Sequence, residues 1–171
     1  MAKLFFRYGP MNSGKTRQLL STAYNYREVG STVLVIKPEV DKKAGRKLAS
    51  RAGEKAEVDV LLTEHDNIYN IVVAKKQQDN RLGCVLVDEA QFLQPKQVDE
   101  LLSVVLNLNI PVIAYGLRSD FARNMFPGSK RLFELAHSLE ELKTICWNGC
   151  GRKAIFNARQ VGGQFVDEGE Q

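Results

Sequence analysis

The chain has 171 residues, 44% hydrophobic and 26% charged, with a formal net charge of +4. That is enough for one compact globular domain with a small appended lobe, able to bury a core without disulfides. No run approaches a membrane span, Met1-Ala2-Lys3-Leu4 leads straight into a strand pattern, and three cysteines are an odd number, so a membrane, a secretory leader and a disulfide framework are not expected, and a cytoplasmic location is.

Leu4–Tyr8 reads as a first strand, apolar enough to be covered on both faces. Gly9-Pro10-Met11-Asn12-Ser13-Gly14-Lys15-Thr16 follows and fits the phosphate-binding pattern G-x-x-x-x-G-K-[ST]. Gly9 and Gly14 let the backbone turn sharply and approach phosphate oxygens. Successive N–H groups and the dipole of the next helix then make an anion site. Lys15 supplies a point charge for the β- and γ-phosphates, and the Thr16 hydroxyl is placed to ligate Mg²⁺. Lys15 to Val29 is helical, with Leu19, Leu20 and Ala23 on one face and Gly30 as its stop. Thr32–Ile36 is a second buried strand, parallel to the first through the βαβ unit they make.

Lys37 to Lys55 is polar and reads as a long, mobile loop. Its cluster Lys42, Lys43, Arg46, Lys47, Arg51 and Lys55 suits a solvated loop beside a triphosphate site better than a nucleic-acid contact. Val58–Leu62 is a plausible third strand, and Asp66 is placed to cap a helix through Ile68, Ile71, Val72 and Lys75. Cys84-Val85-Leu86-Val87-Asp88-Glu89 is a buried strand ending in two acids. In a parallel sheet, strand ends share one edge, so Asp88 should lie beside the phosphate loop as the Mg²⁺ partner.

Pro95 opens a helix that buries Val98, Leu101, Leu102 and Val105, and Pro111–Gly116 is another buried strand. Leu117 to Gly128 is loop-like and carries Phe121 and Phe126, which suit either the core or a flat pocket at the phosphate edge. Leu132–Ala136 looks helical. From Leu139 the character changes, dividing the chain into an α/β nucleotide-binding domain (1–138) and a small lobe (139–171). There Cys146-Trp147-Asn148-Gly149-Cys150-Gly151 suits either half of a tetrahedral zinc site or two free cysteines on a hairpin; His137 and Cys84 are the nearby candidates by type for further ligands. The end, 162–171, is Gly-rich and acidic, and no internal repeats occur.

Gly9–Thr16, Val87-Asp88-Glu89-Ala90-Gln91-Phe92, Tyr115-Gly116-Leu117-Arg118-Ser119-Asp120-Phe121 and Cys146-x3-Cys150-Gly151 together resemble the type II thymidine kinases, the bacterial members included. The resemblance spans nearly the whole chain. It implies a RecA-like P-loop core of mostly parallel sheet with a small zinc-bearing lobe. It implies transfer of the γ-phosphate of ATP to the 5′-hydroxyl of thymidine, and of deoxyuridine, with Mg²⁺ and a structural Zn²⁺. Glu89 matches the family's general base and Asp88 its metal-site acid; Ala90 and Gln91 belong to the same ATP-side motif. Met11, Asp41, Phe92, Leu117, Phe121 and Phe126 fall where the family packs the nucleoside, and Cys146 and Cys150 where it binds zinc. A homotetramer is implied as well, and neither nucleic acid nor membrane as a partner.

The sequence departs from the family pattern in three places. Lys43 stands where the family has Arg, which keeps charge but loses the bidentate fork. The Cys146–Cys150 spacing is one residue wider than the common form. The family pattern also continues past Gln171 into an Ile-Gly-Gly loop with a Tyr, which closes over the nucleoside, and a second pair of zinc ligands. The main rival is a RecA-like nucleic-acid-dependent ATPase, in which Glu89 would activate water. A GTPase switch lacks its N-K-x-D element, and a module using ATP only structurally has no need of Glu89.

Overall fold

A computed structural model describes residues 1–39, 47–49 and 55–166. In chain order the elements are β1 (Leu4–Tyr8), α1 (Lys15–Glu28), β2 (Thr32–Pro38), β3 (Lys47–Ala49), β4 (Lys55–Glu57), β5 (Val60–Leu62), α2 (Ile68–Gln78), β6 (Leu82–Val87), α3 (Pro95–Leu108), β7 (Val112–Gly116), α4 (Pro127–Leu135) and β8 (Ser138–Glu141). Two short antiparallel pairs follow, β9 (Thr144–Ile145) with β10 (Lys153–Ala154), and β11 (Arg159–Val161) with β12 (Gln164–Val166).

The main sheet has the order β5-β2-β6-β7-β1-β8, and every neighbouring pair in it is parallel. Its inner strands β2, β6 and β7 are covered on both faces, which is why they read as continuous apolar runs. Alternate side chains go to opposite faces. Leu34 and Ile36 of β2, Val85 and Val87 of β6, and Val112 and Ala114 of β7 join a core with Ile68, Val72, Val98, Leu101 and Leu132 from α2, α3 and α4. Val33, Val35, Cys84, Leu86, Ile113 and Tyr115 point the other way, onto Leu19 and Ala23 of α1. The result is a three-layer α/β fold in which, among the described residues, α1 is the one helix on its side of the sheet. β1 and β2 are parallel as the βαβ reading requires, but β7 and β6 lie between them.

Several local expectations change. The stretch from Lys37 is not one long loop: β3 and β4 pair there, with Leu48 buried in the α1-side core. Asp41 and Lys43 lie outside the described residues. Asn67, not Asp66, caps α2, its side chain accepting from the Asn70 N–H at 2.8 Å, while Asp66 Oδ2 accepts from the N–H and hydroxyl of Thr63. On α3 the buried stripe uses Val104 where Leu102 was expected; Leu102 is half-buried. The polar Glu100 is also buried there. Its carboxylate accepts from Asn67 Nδ2 at 3.0 Å and from the Ile68 N–H at 2.8 Å, tying α3 to the head of α2. α4 begins at Pro127, earlier than Leu132, because Pro at the first helical position loses no bond the helix would make. β8 pairs with β1 and so runs across the 138/139 division, with the small hairpins after it.

Candidate active site

The phosphate loop leaves the C-terminal end of β1. Its first residue is pinned by a hydrogen bond from the Gly9 N–H to the Gly116 carbonyl at the end of β7, 3.2 Å. A Cβ at Gly9 would meet the Leu142 carbonyl oxygen and Ser13 Oγ, both at 2.6 Å, so the loop closes only on glycine there. Asn12 and Gly14 take left-handed conformations, at φ 66 and 80, and swing the chain into α1. No side chain caps α1 and no acid lies in its first turn, so the positive end of its dipole is left to an anion.

Lys15 folds back into the loop. Its ammonium donates to the carbonyls of Gly9 (3.1 Å) and Pro10 (2.7 Å) and to Ser13 Oγ (3.3 Å). Burial pushes its pKa down to about 8, against the pull of Glu89 and Asp88, which favour the charged form. The two acids are therefore neighbours of the phosphate loop, as strand polarity required. Asp88 follows β6, is 4% exposed, and donates its N–H to the Ile36 carbonyl at 2.9 Å. Burial first, and the adjacent Glu89 carboxylate second, push its carboxyl up to about 6, against the Glu89 N–H, Lys37 and Lys15, which favour the charged form.

Glu89 sits at φ 51, ψ 39, a left-handed conformation that costs a non-glycine residue about 1–2 kcal/mol. The surrounding contacts enforce it. Its carbonyl accepts from the Phe92 N–H at 3.1 Å, opening the tight turn Ala90–Phe92, and Gln91 Nε2 donates to its carboxylate at 2.5 Å. Gln91 is 1% exposed, and its Oε1 accepts from the Leu117 N–H at 3.1 Å. Gly116 allows that approach: a Cβ there would lie 2.9 Å from Gln91 Oε1. On the far side the Ser129 hydroxyl donates to the Leu117 carbonyl at 2.5 Å. Gly128 presses the head of α4 against the turn; a Cβ there would meet the carbonyls of Leu93, Ala90 and Gln91 at 2.6–2.9 Å.

Of the residues expected to pack a nucleoside, Phe92 and Phe126 meet edge to face with ring centroids 5.5 Å apart. The Leu117 backbone is bonded to Gln91 and Ser129, in the two segments that carry these rings. Phe121 lies on the Ser119–Met125 turn, with the Arg159 guanidinium 5.7 Å from its ring centroid. Met11 is exposed, and its N–H donates to Asn157 Oδ1 at 2.7 Å. Asn157 Nδ2 donates in turn to the Ser119 carbonyl at 3.3 Å, so this residue between β10 and β11 bridges the phosphate loop and the Phe121 turn. Asn157 and Ser129 carried no motif and were not anticipated.

Cys146 and Cys150 face each other across a tight turn. The Asn148 N–H, and then the Cys150 thiol, hold the Cys146 thiol below its ordinary pKa. No third His, Cys, Asp or Glu joins them among the described residues. The two other candidates by type are engaged elsewhere: Cys84 lies in the α1-side core, its thiol pushed up to about 12 by burial, and His137 Nδ1 accepts from the Leu4 N–H at 3.1 Å. Among the described residues, no helix is long and apolar enough to cross a membrane.

A glycine-bracketed loop running from a parallel strand into a helix, with paired acids ending a nearby strand, defines the P-loop class of α/β nucleotide-binding proteins. The family model for thymidine kinase matches residues 2–171. The chain is 49% identical over 173 aligned positions to the thymidine kinase of Rhodopirellula baltica, spanning all of this chain and 80% of that one. It is 46% identical to that of Shewanella oneidensis and 45% to that of Enterobacteria phage T4, in each case over all of this chain and 88% of the relative. Among solved structures it is similar to the Pif1 helicase of Candida albicans, with a TM-score of 0.48 at 17% identity, over 85% of this chain and 37% of that one. This chain belongs to the thymidine kinase family.

Proposed function

We propose that the protein transfers the γ-phosphate of ATP to the 5′-hydroxyl of thymidine, and of deoxyuridine. The observation that carries the reading is Glu89, raised on a left-handed turn one residue beyond a buried Asp88 and gripped by Gln91 beside the phosphate loop. The loop N–H groups and Lys15 hold the triphosphate; on binding, the Lys15 ammonium exchanges its carbonyl partners for phosphate oxygens. Glu89 accepts the proton of the attacking hydroxyl, for which it must come within about 2.6–3.2 Å of that oxygen. Met11, Phe92, Leu117, Phe121 and Phe126 form the nucleoside pocket, and Asp41, outside the described residues, is assigned to it by the family resemblance alone.

A hydroxyl and a buried carboxylate are hard oxygen donors suited to Mg²⁺, and Asp88 is buried, its charge offset by the Glu89 N–H, Lys37 and Lys15 too weakly to keep its carboxyl from being pushed up. Thr16 and Asp88 are therefore the residues that would hold Mg²⁺, which neutralises charge on the phosphates when bound. Cys146 and Cys150 fit two of the four thiolate or imidazole positions that a structural Zn²⁺ takes. Metal analysis of a full-length preparation should find about one zinc per chain, halved or lost in Cys146→Ser. The small lobe, assembly as a homotetramer and a cytoplasmic location rest on family membership; light scattering of the purified protein tests the tetramer.

The deciding experiment is a phosphorylation assay across nucleosides with and without DNA. Thymidine should be phosphorylated and DNA should not stimulate ATP turnover. DNA-stimulated turnover without nucleoside phosphorylation would return the reading to a nucleic-acid-dependent ATPase.

A further inference from the structure

We infer that Gln91 is a positioning residue that couples the nucleoside pocket to Glu89. This rests on the thymidine kinase reading, with Glu89 as base. The amide is buried and uses both ends: Oε1 accepts from the Leu117 N–H at 3.1 Å, and Nε2 donates to the Glu89 carboxylate at 2.5 Å. The Leu117 carbonyl, in the next peptide unit, accepts from the Ser129 hydroxyl at 2.5 Å, so the backbone is held on both sides of the Leu117 Cα. Residues 116–117 and 128–129 are thus fixed to the Ala90–Phe92 turn, with glycines at 116 and 128 admitting the close approach. Glu89 itself sits in a left-handed conformation, where a carboxylate without this bond has a weakly determined direction.

The geometry has a direct consequence. A nucleoside base packed on Leu117 presses on a peptide whose N–H leads, through one rigid planar amide, to the group that receives the hydroxyl proton. Gln91 does not touch the reacting atoms in this scheme. It sets the aim of Glu89 and passes pocket occupancy to it, and misaim of this kind lowers turnover more than binding. Ser129 secures only the Leu117 end, so its loss should act mainly on nucleoside affinity.

The test compares Gln91→Met and Ser129→Ala in the full chain, using kcat and the thymidine KM at saturating Mg²⁺-ATP, with Mg²⁺-ATP affinity by calorimetry and melting temperature as checks. Gln91→Met should lower kcat at least tenfold, with Mg²⁺-ATP affinity within threefold of wild type. Ser129→Ala should raise the thymidine KM with kcat within threefold. Adding Gln91→Met to Glu89→Gln should cost less than threefold beyond Glu89→Gln alone, because Gln91 acts through that carboxylate. A Gln91→Met kcat within threefold of wild type, or a full multiplicative loss in the double variant, would overturn the inference. If Gln91→Met does not fold, Gln91→Asn replaces it: the shorter amide cannot span Leu117 and Glu89, and it must show the same kcat loss. Glu89→Gln alone separates the two levels. If it retains activity, the assignment of the base fails. If it is inactive while Gln91→Met matches wild type, only the coupling fails.

Discussion

Burial beneath the phosphate loop leaves the Lys15 ammonium with three oxygen acceptors and a pKa of about 8. The folded value lies below the ordinary 10.5, so between about pH 8 and 10.5 the unfolded chain binds more protons and stability rises with pH through that window. Lys15→Met should flatten that rise in denaturant titrations. Triphosphate restores the charge, so ATP binding at pH 8.5 should take up protons, and little at pH 7; calorimetry in buffers of different ionisation enthalpy reads this directly. Asp88 shows the opposite balance. An ionised carboxylate at 4% exposure with a raised pKa near 6 opposes folding at pH 7. Asp88→Asn should stabilise the free protein by about 1–3 kcal/mol while abolishing kinase activity, a trade of stability for function. A melting temperature at or below wild type would contradict it. Glu89→Gln keeps shape and loses basicity, so turnover should fall by about 10²–10⁴-fold with ATP binding nearly intact.

At the scale of elements, α4 is the one that most directly shapes the site. Its Gly128 faces three backbone carbonyls of the turn after Asp88, and backbone cannot step aside as a flexible side chain would. Gly128→Ala should cost about 1–3 kcal/mol of stability and lower kcat, measured by thermal melting and initial rates. That contact was invisible in the sequence, where Pro127-Gly128 looks like loop punctuation although Pro starts the helix. The apolar strands were legible because burial on both faces leaves continuous Val/Ile/Leu runs. β8 was not, since Ser138-Leu139-Glu140-Glu141 is an edge strand with an acidic surface; nor were β3 and β4, whose Lys-rich sequences carry no such run. The phosphate loop could be read because its chemistry lies within eight consecutive residues. The Gln91–Leu117 and Met11–Asn157 bonds could not, as their partners lie 26 and 146 positions apart.

For the whole molecule, the segment of short hairpins after β8 is fastened to the phosphate loop and the Phe121 turn. Asn157 accepts from the phosphate loop and donates to the Phe121 turn, and the Arg118 guanidinium lies 4.8 Å from the Phe156 ring centroid. Asn157→Ala should raise the thymidine KM at least threefold and speed limited proteolysis within residues 142–166; unchanged cleavage would mean that other contacts seat this segment. The strand order has a further consequence, for how the chain comes to be folded. β1 pairs with β7 on one side and β8 on the other, Leu4 against Val112 and Phe5 against Ser138, so these partners are made more than a hundred residues after it. Closing so large a loop is costly in chain entropy, and such topologies fold slowly. On the ribosome, the N-terminal strand and the nucleotide loop attached to it must wait for nearly the whole chain to emerge. A stalled nascent chain with residues 1–110 exposed should be protease-sensitive and unable to retain on an ATP resin, whereas one exposing β8 should hold.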